Sequence, residues 1–415
     1  MAEVKWTKEQ LQAIQEKGTN ILVAAAAGSG KTAVLVERMI HKIINDKIDI
    51  DRLLVVTFTN AAAAEMRERV LEAIYKKLDE NPEDENLQRQ ITLLNKASIC
   101  TIDSFCLEVV RNHFYELENI SPNFRIADTT EIELLKQEIL DDIFEERYEN
   151  QDEDFSDLIN TYTSYRDDTP LKDLILKIYT YIQSNPFPED WLKEKIEMFH
   201  IQDFEKDFSK NPYGEILLRE VEEELVDDIH TLEEVGKNLR GEAGLEKFAE
   251  TIDDDIDKLK MLKGNLDNWD RAYEIYSHFV FATWPRQKID SSVKDKAKEI
   301  RDDVKKKFSK KLGKIFIYSS KDANQDIYDM YGILVKLEKI ILDFGEEFNK
   351  SKRNKNIVDF NDIEHLALNI LLKHENGEIQ PTEVANTYKE KFVEIAIDEY
   401  QDSNLVQEYI LNAVS

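Results

Sequence analysis

A glycine-rich run near the start of the sequence has the residue types that hold the phosphates of a nucleotide. It reads Ala24-Ala-Ala-Ala-Gly-Ser-Gly-Lys-Thr32. Gly28 and Gly30 allow the backbone to turn its N–H groups around phosphate oxygens, and a following helix adds its positive end. Lys31 is expected to reach the β- and γ-phosphates, and Thr32 to ligate magnesium. The expected nucleotide contacts come from Ala25, Ala26, Ala27, Gly28, Ser29, Gly30, Lys31 and Thr32.

The context of this run favours a phosphate-binding loop over a chance glycine-rich turn. The apolar run 21–25 precedes it and predicts a strand, while Val34, Leu35, Met39 and Ile40 follow at helical spacing. Strand, turn and helix is the order that the motif requires. The general motif begins with glycine and this sequence has alanine there, which is compatible with a negative φ angle.

Two carboxylates near the end of the sequence could complete the site. Asp398 and Glu399 directly follow the apolar run 392–397, so they are expected at the carboxyl end of a strand, where open α/β sheets bind ligands. Asp398 can hold magnesium through its water shell, and Glu399 can orient and deprotonate an attacking water. An acidic pair on a turn is common, but together with the phosphate-binding loop it indicates hydrolysis. The candidate catalytic residues are Lys31 and Glu399.

The elements that must position these residues fall into three regions. Apolar runs at 21–25, 53–58 and 98–102 alternate with helical patterns, which is typical of a parallel sheet covered on both faces. The middle of the chain predicts long charged helices, and the alternation then returns. The predicted fold class is α/β: a parallel-sheet domain with a phosphate-binding loop, interrupted by a large, mostly helical inserted domain. The predicted segments are 1–125, 126–352 and 353–415.

Several helix boundaries can be predicted from local patterns. Thr130 and Glu133 have the spacing of a capping box, and Asp359 resembles a helix start. The core-facing positions of the two helices are expected to be Ile132, Leu135, Ile139 and Ile143 in the first and Ile363, Leu366 and Ile370 in the second. Breaks in the helical region are expected near Pro186, Pro188, Pro212, Gly241 and Pro285.

Composition is typical of a cytoplasmic globular protein. The 415 residues have no apolar stretch long enough to span a bilayer and no apolar signal core at the N-terminus. Two cysteines, Cys100 and Cys106, cannot build a disulfide framework or a four-ligand metal site, so reduced thiols are expected. The net charge of −30 argues against a nucleic-acid partner only if charge is evenly spread.

The charge is unevenly spread. Residues 128–157 contain thirteen acids and two bases, whereas 286–314 contain twelve bases and five acids. This second stretch, the basic strip, follows the aromatic segment 276–284. The strip could grip a DNA duplex. The alternative, which the sequence favours, is a solvated helix face whose apolar side is packed.

The motifs resemble those of the UvrD/PcrA/RecB-like group of superfamily 1 DNA helicases, and most closely the helicase subunits of bacterial AddAB-type helicase/nucleases. Five blocks carry the resemblance in the family's order: Trp6-Thr-Lys-Glu-Gln-Leu-Gln-Ala-Ile14, Ala24 to Thr32, Thr57-Phe-Thr-Asn-Ala-Ala-Ala-Ala-Glu-Met-Arg67, Thr101-Ile-Asp-Ser-Phe-Cys106 and Ile397-Asp-Glu-Tyr-Gln-Asp402. Two further stretches are similar to the AddAB-type helicases: Asn123-Phe-Arg-Ile-Ala-Asp128 and Val358-Asp-Phe-Asn-Asp-Ile-Glu-His365.

The resemblance implies a RecA-like fold, ATP and Mg²⁺ as cofactors, and DNA as a partner at a junction of single strand and duplex. It implies that Gln10 reads adenine and that the alanine-type phosphate loop explains Ala25. It also implies 3′ to 5′ movement, a role in double-strand-break resection, a heterodimer with an AddB-type nuclease subunit, and no membrane partner.

The candidate DNA-binding residues have suitable chemistry. Phe58 could stack on a base, although a core aromatic is the alternative. Thr59 and Asn60 begin a helix whose N–H groups could hold a phosphate. Thr101 and Ser104 could contact phosphate or could cap a helix.

Two positions depart from the wider family. Asp103 stands where histidine is common, and Ala61 stands where the UvrD branch has lysine. A carboxylate repels phosphate, so direct phosphate contact from Asp103 is in doubt.

Three functions are consistent with these motifs: the helicase subunit of a resection complex, a stand-alone UvrD/PcrA-type repair helicase, and a phosphate-loop ATPase switch without a DNA partner. The sequence ends seventeen residues after Asp398. Since the family's second motor domain supplies arginines to the transition state, we expect a fragment that binds ATP with little turnover, unwinding or nuclease activity.

Overall fold

The computed structural model describes residues 6–24, 30–117, 120–163, 167–375 and 378–415. The chain divides into two compact units. Unit 1 comprises residues 1–191 and 339–415, and unit 2 comprises 192–338. Residues 126–191, which the sequence analysis assigned to the inserted domain, therefore pack in the same unit as the sheet. The domain boundaries at 126 and 352 stay a prediction.

Helices dominate the described residues. They are α1 (Lys8–Gln15), α2 (Lys31–Ile44), α3 (Asn60–Glu80), α4 (Glu85–Leu93), α5 (Ile102–His113), α6 (Thr129–Glu149), α7 (Glu153–Tyr162), α8 (Thr169–Ile182), α9 (Pro188–Glu197), α10 (Pro212–Arg240), α11 (Glu246–Lys263), α12 (Trp269–Ser277), α13 (Ser292–Ile315), α14 (Ser320–Asn354), α15 (Phe360–Leu371), α16 (Glu383–Lys391) and α17 (Leu405–Ala413).

The strands are short. They are β1 (Leu53–Thr57), β2 (Ser98–Thr101), β3 (Arg125–Ile126), β4 (Ile357–Val358), β5 (Leu372–Glu375), β6 (Glu378–Pro381) and β7 (Glu394–Ile397). The fold class is α/β with a small parallel sheet.

A three-stranded parallel sheet organises unit 1. Its order is β2-β1-β7, with Val55 opposite both Ile99 and Ala396. All five residues of β1 are buried, since the middle strand is covered by helices on both faces. One face packs against α5, α15 and α17, and the other against α2, α3 and α4. The sheet brings the carboxyl ends of β1, β2 and β7 to one edge, as the sequence predicted.

The strand predicted at 21–25 is wrong for the residues that the structure describes. Residues 21–24 have no strand assignment, and Ile21, Leu22 and Val23 are exposed. An extended segment forms a strand only when a neighbouring strand pairs with its N–H and C=O groups. Neither β7 nor any other described strand pairs with this segment. Ala25 lies outside the described residues.

The capping box predicted at Thr130 and Glu133 is also wrong. Helix α6 begins at Thr129, and the Asp128 carboxylate caps it by accepting from the Glu131 N–H at 2.9 Å. A short carboxylate at the N-cap satisfies a free N–H group and favours the positive helix end. The predicted apolar face is confirmed, with all four of its members buried: Ile132, Leu135, Ile139 and Ile143.

Other predicted boundaries are confirmed. Helix α9 begins at Pro188, α10 begins at Pro212, and α10 ends before Gly241. Pro285 lies between α12 and α13, outside regular structure. Helix α15 begins after Asp359, with Ile363 and Ile370 buried and Leu366 partly buried.

Unit 2 is built from helices that pack around aromatic and aliphatic side chains. Helices α10, α11 and α13 form most of its core, and Phe279, Phe281 and Trp284 pack against that core. In the basic strip, Arg301 is 2% exposed and donates to Asp255 at 2.6 Å. The aromatic segment is therefore part of the packing, as the favoured alternative for the strip supposed.

The strip is also partly neutralised. Lys307 and Lys311 both pair with Glu224, at 2.5 and 2.8 Å. Its exposed cations are Arg286, Lys288, Lys296, Lys298, Lys306, Lys307, Lys310 and Lys314.

The two cysteines are free thiols. Cys106 is buried and Cys100 is half-buried. Burial raises the pKa of the Cys100 thiol to about 11, and it raises the pKa of Cys106 well above the usual value. Both are therefore protonated and poorly reactive at neutral pH. Among the described residues, no helix combines the length and apolar character needed to cross a membrane.

Candidate nucleotide and DNA sites

The described end of the phosphate-binding loop lies at the start of α2. Gly30 is the N-cap residue and has a φ of +85°, a left-handed conformation that favours glycine. Lys31 and Thr32 form the first turn and are half-buried. The predicted contacts Ala25, Ala26, Ala27, Gly28 and Ser29 lie outside the described residues.

Lys31 lies next to the acidic end of β7. Its Nζ atom is 3.5 Å from Oε2 of Glu399. The backbone N–H of Asp398 donates to the Val56 carbonyl at 2.9 Å, which extends the β1–β7 pairing by one residue. The sheet thus brings together the three charged residues that the sequence placed at the two ends of the chain.

Glu399 adopts a backbone conformation that is uncommon for its residue type. Its φ is +57° and its ψ is +43°, in the left-handed region. This conformation costs a non-glycine residue about 1–2 kcal/mol. Such costs are retained mainly at functional sites. Here the turn directs the carboxylate towards Lys31.

The two acids have opposite pKa shifts. Burial, followed by the charge of Glu399, raises the pKa of Asp398. A hydrogen bond from Gln401, followed by the charge of Lys31, lowers the pKa of Glu399. Glu399 is thus the more firmly ionised acid, as a base or water-orienting group requires.

The residues present fit a magnesium nucleotide. The Thr32 hydroxyl and the Asp398 carboxylate are hard oxygen donors of the kind Mg²⁺ uses when phosphates and waters supply its other ligands. Among the described residues, no group of three or more His, Cys, Asp or Glu side chains forms a metal site of its own.

Gln10 lies in α1, close to the loop. It closes a capping box in which the Thr7 N–H donates to Gln10 Oε1 at 2.9 Å and the Gln10 N–H donates to Thr7 Oγ1 at 3.3 Å. Its Nε2 atom is 3.8 Å from the position that a Cβ atom on Gly30 would take. The predicted adenine-reading residue is thus next to the first described residue of the loop.

An ion-pair network that the sequence analysis missed joins α1, α2 and β7. Arg38 donates to both oxygens of the Glu394 carboxylate, at 2.6 and 3.0 Å, and to the Ala13 carbonyl at 2.6 Å. Lys42, 6% exposed, pairs with the same carboxylate at 2.8 Å. The network fixes the end of α1 against the helix that starts at Lys31. Arg38 and Lys42 have i,i+4 spacing, but their partner is 356 residues from Arg38 in sequence.

A second site lies at the same sheet edge, in a cleft of about 460 Å³. The cleft brings together all five predicted DNA-binding residues: Phe58, Thr59, Asn60, Thr101 and Ser104. Phe58 follows β1 directly and is half-buried, so part of its ring faces the cleft. A volume of this size falls within the range of small-ligand pockets.

The hydroxyl groups in the cleft also cap helices. Thr59 is the N-cap of α3 and accepts from the Ala62 N–H at 3.1 Å. Thr101 is the N-cap of α5, accepts from the Ser104 N–H at 3.2 Å, and lies 2.8 Å from the Ser104 hydroxyl. The capping alternative is thus present, and it places two helix N-termini at the cleft.

The sequence analysis did not select Phe360, which forms a second aromatic side of the cleft. This side chain is 54% exposed and is the first residue of α15. The signal available was its position inside the block 358–365. An exposed aromatic beside the N-cap of a buried helix is unusual and indicates a binding role.

A buried ion cluster fixes the start of α15. Lys352, 3% exposed, lies 2.9 Å from Asp359 Oδ2 and 2.6 Å from Asp362 Oδ1. The remaining oxygens of the two carboxylates accept from each other's backbone N–H groups, both at 2.8 Å. Every carboxylate oxygen therefore has a partner, and the cluster fixes the backbone on both sides of Phe360.

A buried carboxylate connects α15 to the segment after Glu399. Glu364, 4% exposed, accepts from Gln407 Nε2 at 2.6 Å and from Asn404 Nδ2 at 3.2 Å. Burial raises the pKa of Glu364. Asn404 is the N-cap of α17. The helix that carries Phe360 thus contacts the helix that follows the acidic turn.

Asp103 also lines the cleft. Burial raises the pKa of its carboxyl group. None of the hydrogen bonds or ion pairs found among the described residues engages this side chain.

Residues 6–415 match the UvrD/REP helicase N-terminal domain, and the chain belongs to this family.

Three similar relatives share one description, that of the A-type component of an ATP-dependent helicase/nuclease. The chain is 46% identical over 421 residues to the protein of Acetivibrio thermocellus, which covers 99% of this chain and 34% of that relative. It is 45% identical to that of Ruminiclostridium cellulolyticum, over 100% of this chain and 34% of the relative. The protein of Clostridioides difficile is 44% identical, over 100% of this chain and 33% of the relative. The chain thus spans about a third of the length of these relatives.

Proposed function

We propose that this chain is the ATP-binding motor portion of a DNA helicase. The observation that carries the proposal is the 3.5 Å approach of Lys31 Nζ to Glu399 Oε2, between the phosphate-binding helix and the acidic end of β7. The interrupted RecA-like arrangement belongs to this proposal, with unit 2 as the core of the insertion.

In the proposed site, each residue has one role. Lys31 moves from Glu399 to the β- and γ-phosphates, because a triphosphate carries more charge than one carboxylate. Thr32 and Asp398 hold Mg²⁺, which neutralises phosphate charge when bound. Glu399, released from Lys31, orients the attacking water and accepts its proton.

The cleft beside this site is the proposed DNA site. The rings of Phe58 and Phe360 offer faces on which bases of a single strand can stack. The N-termini of α3 and α5 offer N–H groups and positive helix ends to the phosphates. Thr59, Asn60, Thr101 and Ser104 lie at those ends.

For the whole protein, we propose the helicase subunit of a helicase/nuclease that acts in double-strand-break resection, with an AddB-type partner. The shared description of the relatives supports this proposal. A stand-alone repair helicase and a switch without a DNA partner are the alternatives.

Fluorescence anisotropy of labelled single-stranded DNA tests the DNA site. At low salt, with and without an ATP analogue, we expect binding by the native chain. The double variant Phe58→Ala, Phe360→Ala should bind roughly 5–100-fold more weakly, since base stacking contributes about 1–3 kcal/mol per base.

Tyr75→Ala is the matched control, because Tyr75 is an exposed aromatic residue on α3. It should leave the affinity unchanged. If the native chain fails to bind in either condition, the switch without a DNA partner becomes the better proposal. If the double variant binds as well as the native chain, DNA does not stack in this cleft.

A further inference from the structure

We propose that Asp103 makes the cleft selective for bases with an exocyclic amino group. The carboxylate would accept a hydrogen bond from cytosine N4 or adenine N6. This inference rests on the proposed DNA site and extends it from strand binding to base preference.

The first observation is a difference between Asp103 and its neighbours in the cleft. Thr101 and Ser104 bond to each other, and Thr101 also caps α5. The half-buried Asp103 carboxylate makes none of the hydrogen bonds or ion pairs found in the described parts of the chain. A partly desolvated carboxylate is stabilised by a donor, so a donor from a ligand would complete the site.

The second observation is the character of the cleft. Phe58 and Phe360 contribute rings, and Leu107, Ile126 and Ile363 contribute apolar surface. This lining suits the faces of a nucleobase and does not suit a phosphate. The about 460 Å³ of the cleft can hold a base with its sugar.

The third observation is the sign of the local charge. Asp103 and the buried Glu364 interact unfavourably, since each carboxylate raises the energy of the other's ionised form. A phosphate near Asp103 would add a third negative group. The backbone of the strand must therefore pass along the helix N-termini, while a base points towards Asp103.

The geometry of the bases sets the expected order. Cytosine and adenine present an amino group that a carboxylate can accept from. Thymine has only its N3–H donor, which lies between two carbonyl oxygens that repel a carboxylate. Changing Asp103 to asparagine adds an amide donor, which suits the thymine O4 acceptor.

The test compares oligo(dC) and oligo(dT) of equal length by anisotropy at pH 8 and low salt. The native chain should bind oligo(dC) roughly fivefold or more tightly than oligo(dT). Asp103→Ala should remove this preference, and Asp103→Asn should remove or reverse it. Asp79→Asn, a change at an exposed acid on α3, should keep the native preference. The melting temperature of each variant shows that it is folded.

Equal binding of the two oligonucleotides by the native chain would overturn the inference while leaving the DNA site intact. So would a native preference that persists in Asp103→Asn, or one that disappears when EDTA removes Mg²⁺, because a bound cation would then be the partner of Asp103. Failure of both oligonucleotides to bind would overturn the DNA site and this inference together.

Discussion

Asp398 and Glu399 are adjacent residues whose pKa values move in opposite directions. Burial raises the pKa of Asp398, whereas Gln401 and then Lys31 lower the pKa of Glu399. The difference follows from the left-handed turn at Glu399, which directs one carboxylate to the sheet edge and the other to the phosphate-binding lysine. Two identical functional groups thus acquire separate roles from their surroundings.

This difference predicts how nucleotide binding depends on pH. A carboxylate with a raised pKa takes up its proton at a higher pH, so Asp398 should lose its charge early as the pH falls. The native chain should bind a magnesium nucleotide more tightly than Asp398→Asn at pH 8, and this advantage should shrink towards pH 5. Isothermal titration calorimetry at several pH values measures both affinities. A constant ratio between the two chains would show that Asp398 does not hold the metal.

At the scale of elements, the start of α15 shows how a helix terminus can place a binding residue. The sequence predicts this helix start at Asp359, because the local pattern contains the cap and the apolar face. It does not predict Lys352 as the partner of both carboxylates, because that pairing depends on how α14 packs beside α15. Phe360 was missed for a related reason: an aromatic at a helix start is assigned to the core unless its exposure is known.

Lys352→Met is predicted to destabilise unit 1 strongly. The change leaves Asp359 and Asp362 buried without their cation, and breaking a buried pair costs about 3–5 kcal/mol. Urea unfolding measures the free-energy change. Adding Asp362→Asn to this variant should recover part of the loss, since one uncompensated charge is then removed.

Lys350→Met is the control on the same helix, because Lys350 is exposed and pairs only on the surface with Glu347. Its effect should stay within about 0.5 kcal/mol. Equal effects at the two positions would mean that the buried cluster does not hold the start of α15.

At the scale of the whole molecule, local patterns identified most of the architecture. Strands β1, β2 and β7 were predicted because fully buried parallel strands are continuous apolar runs. The run 21–25 has the same pattern, and its described part forms no strand because pairing is a property of the neighbours. The basic strip was visible as a charge pattern, but its burial of Arg301 against Asp255 depends on a contact 46 residues away.

The candidate sites were predicted to a similar extent. Lys31, Asp398 and Glu399 were predicted from motifs, and the sheet brings them together. The Arg38–Glu394 network and the Glu364 contacts join segments far apart in sequence. No local pattern indicates such pairs, so they could be found only after folding.

The central claim is that residues 1–415 form a magnesium-dependent nucleotide site around Lys31. The most direct measurement titrates a fluorescent ATP analogue, with and without Mg²⁺, into the native chain, Lys31→Met and the exposed control Lys76→Met. We expect magnesium-enhanced binding by the native chain and the control. Lys31→Met, with an unchanged melting temperature, should bind roughly tenfold or more weakly, since a hydrogen bond to a charged group contributes about 1.5–3 kcal/mol. Equal binding by Lys31→Met and the native chain would contradict the claim.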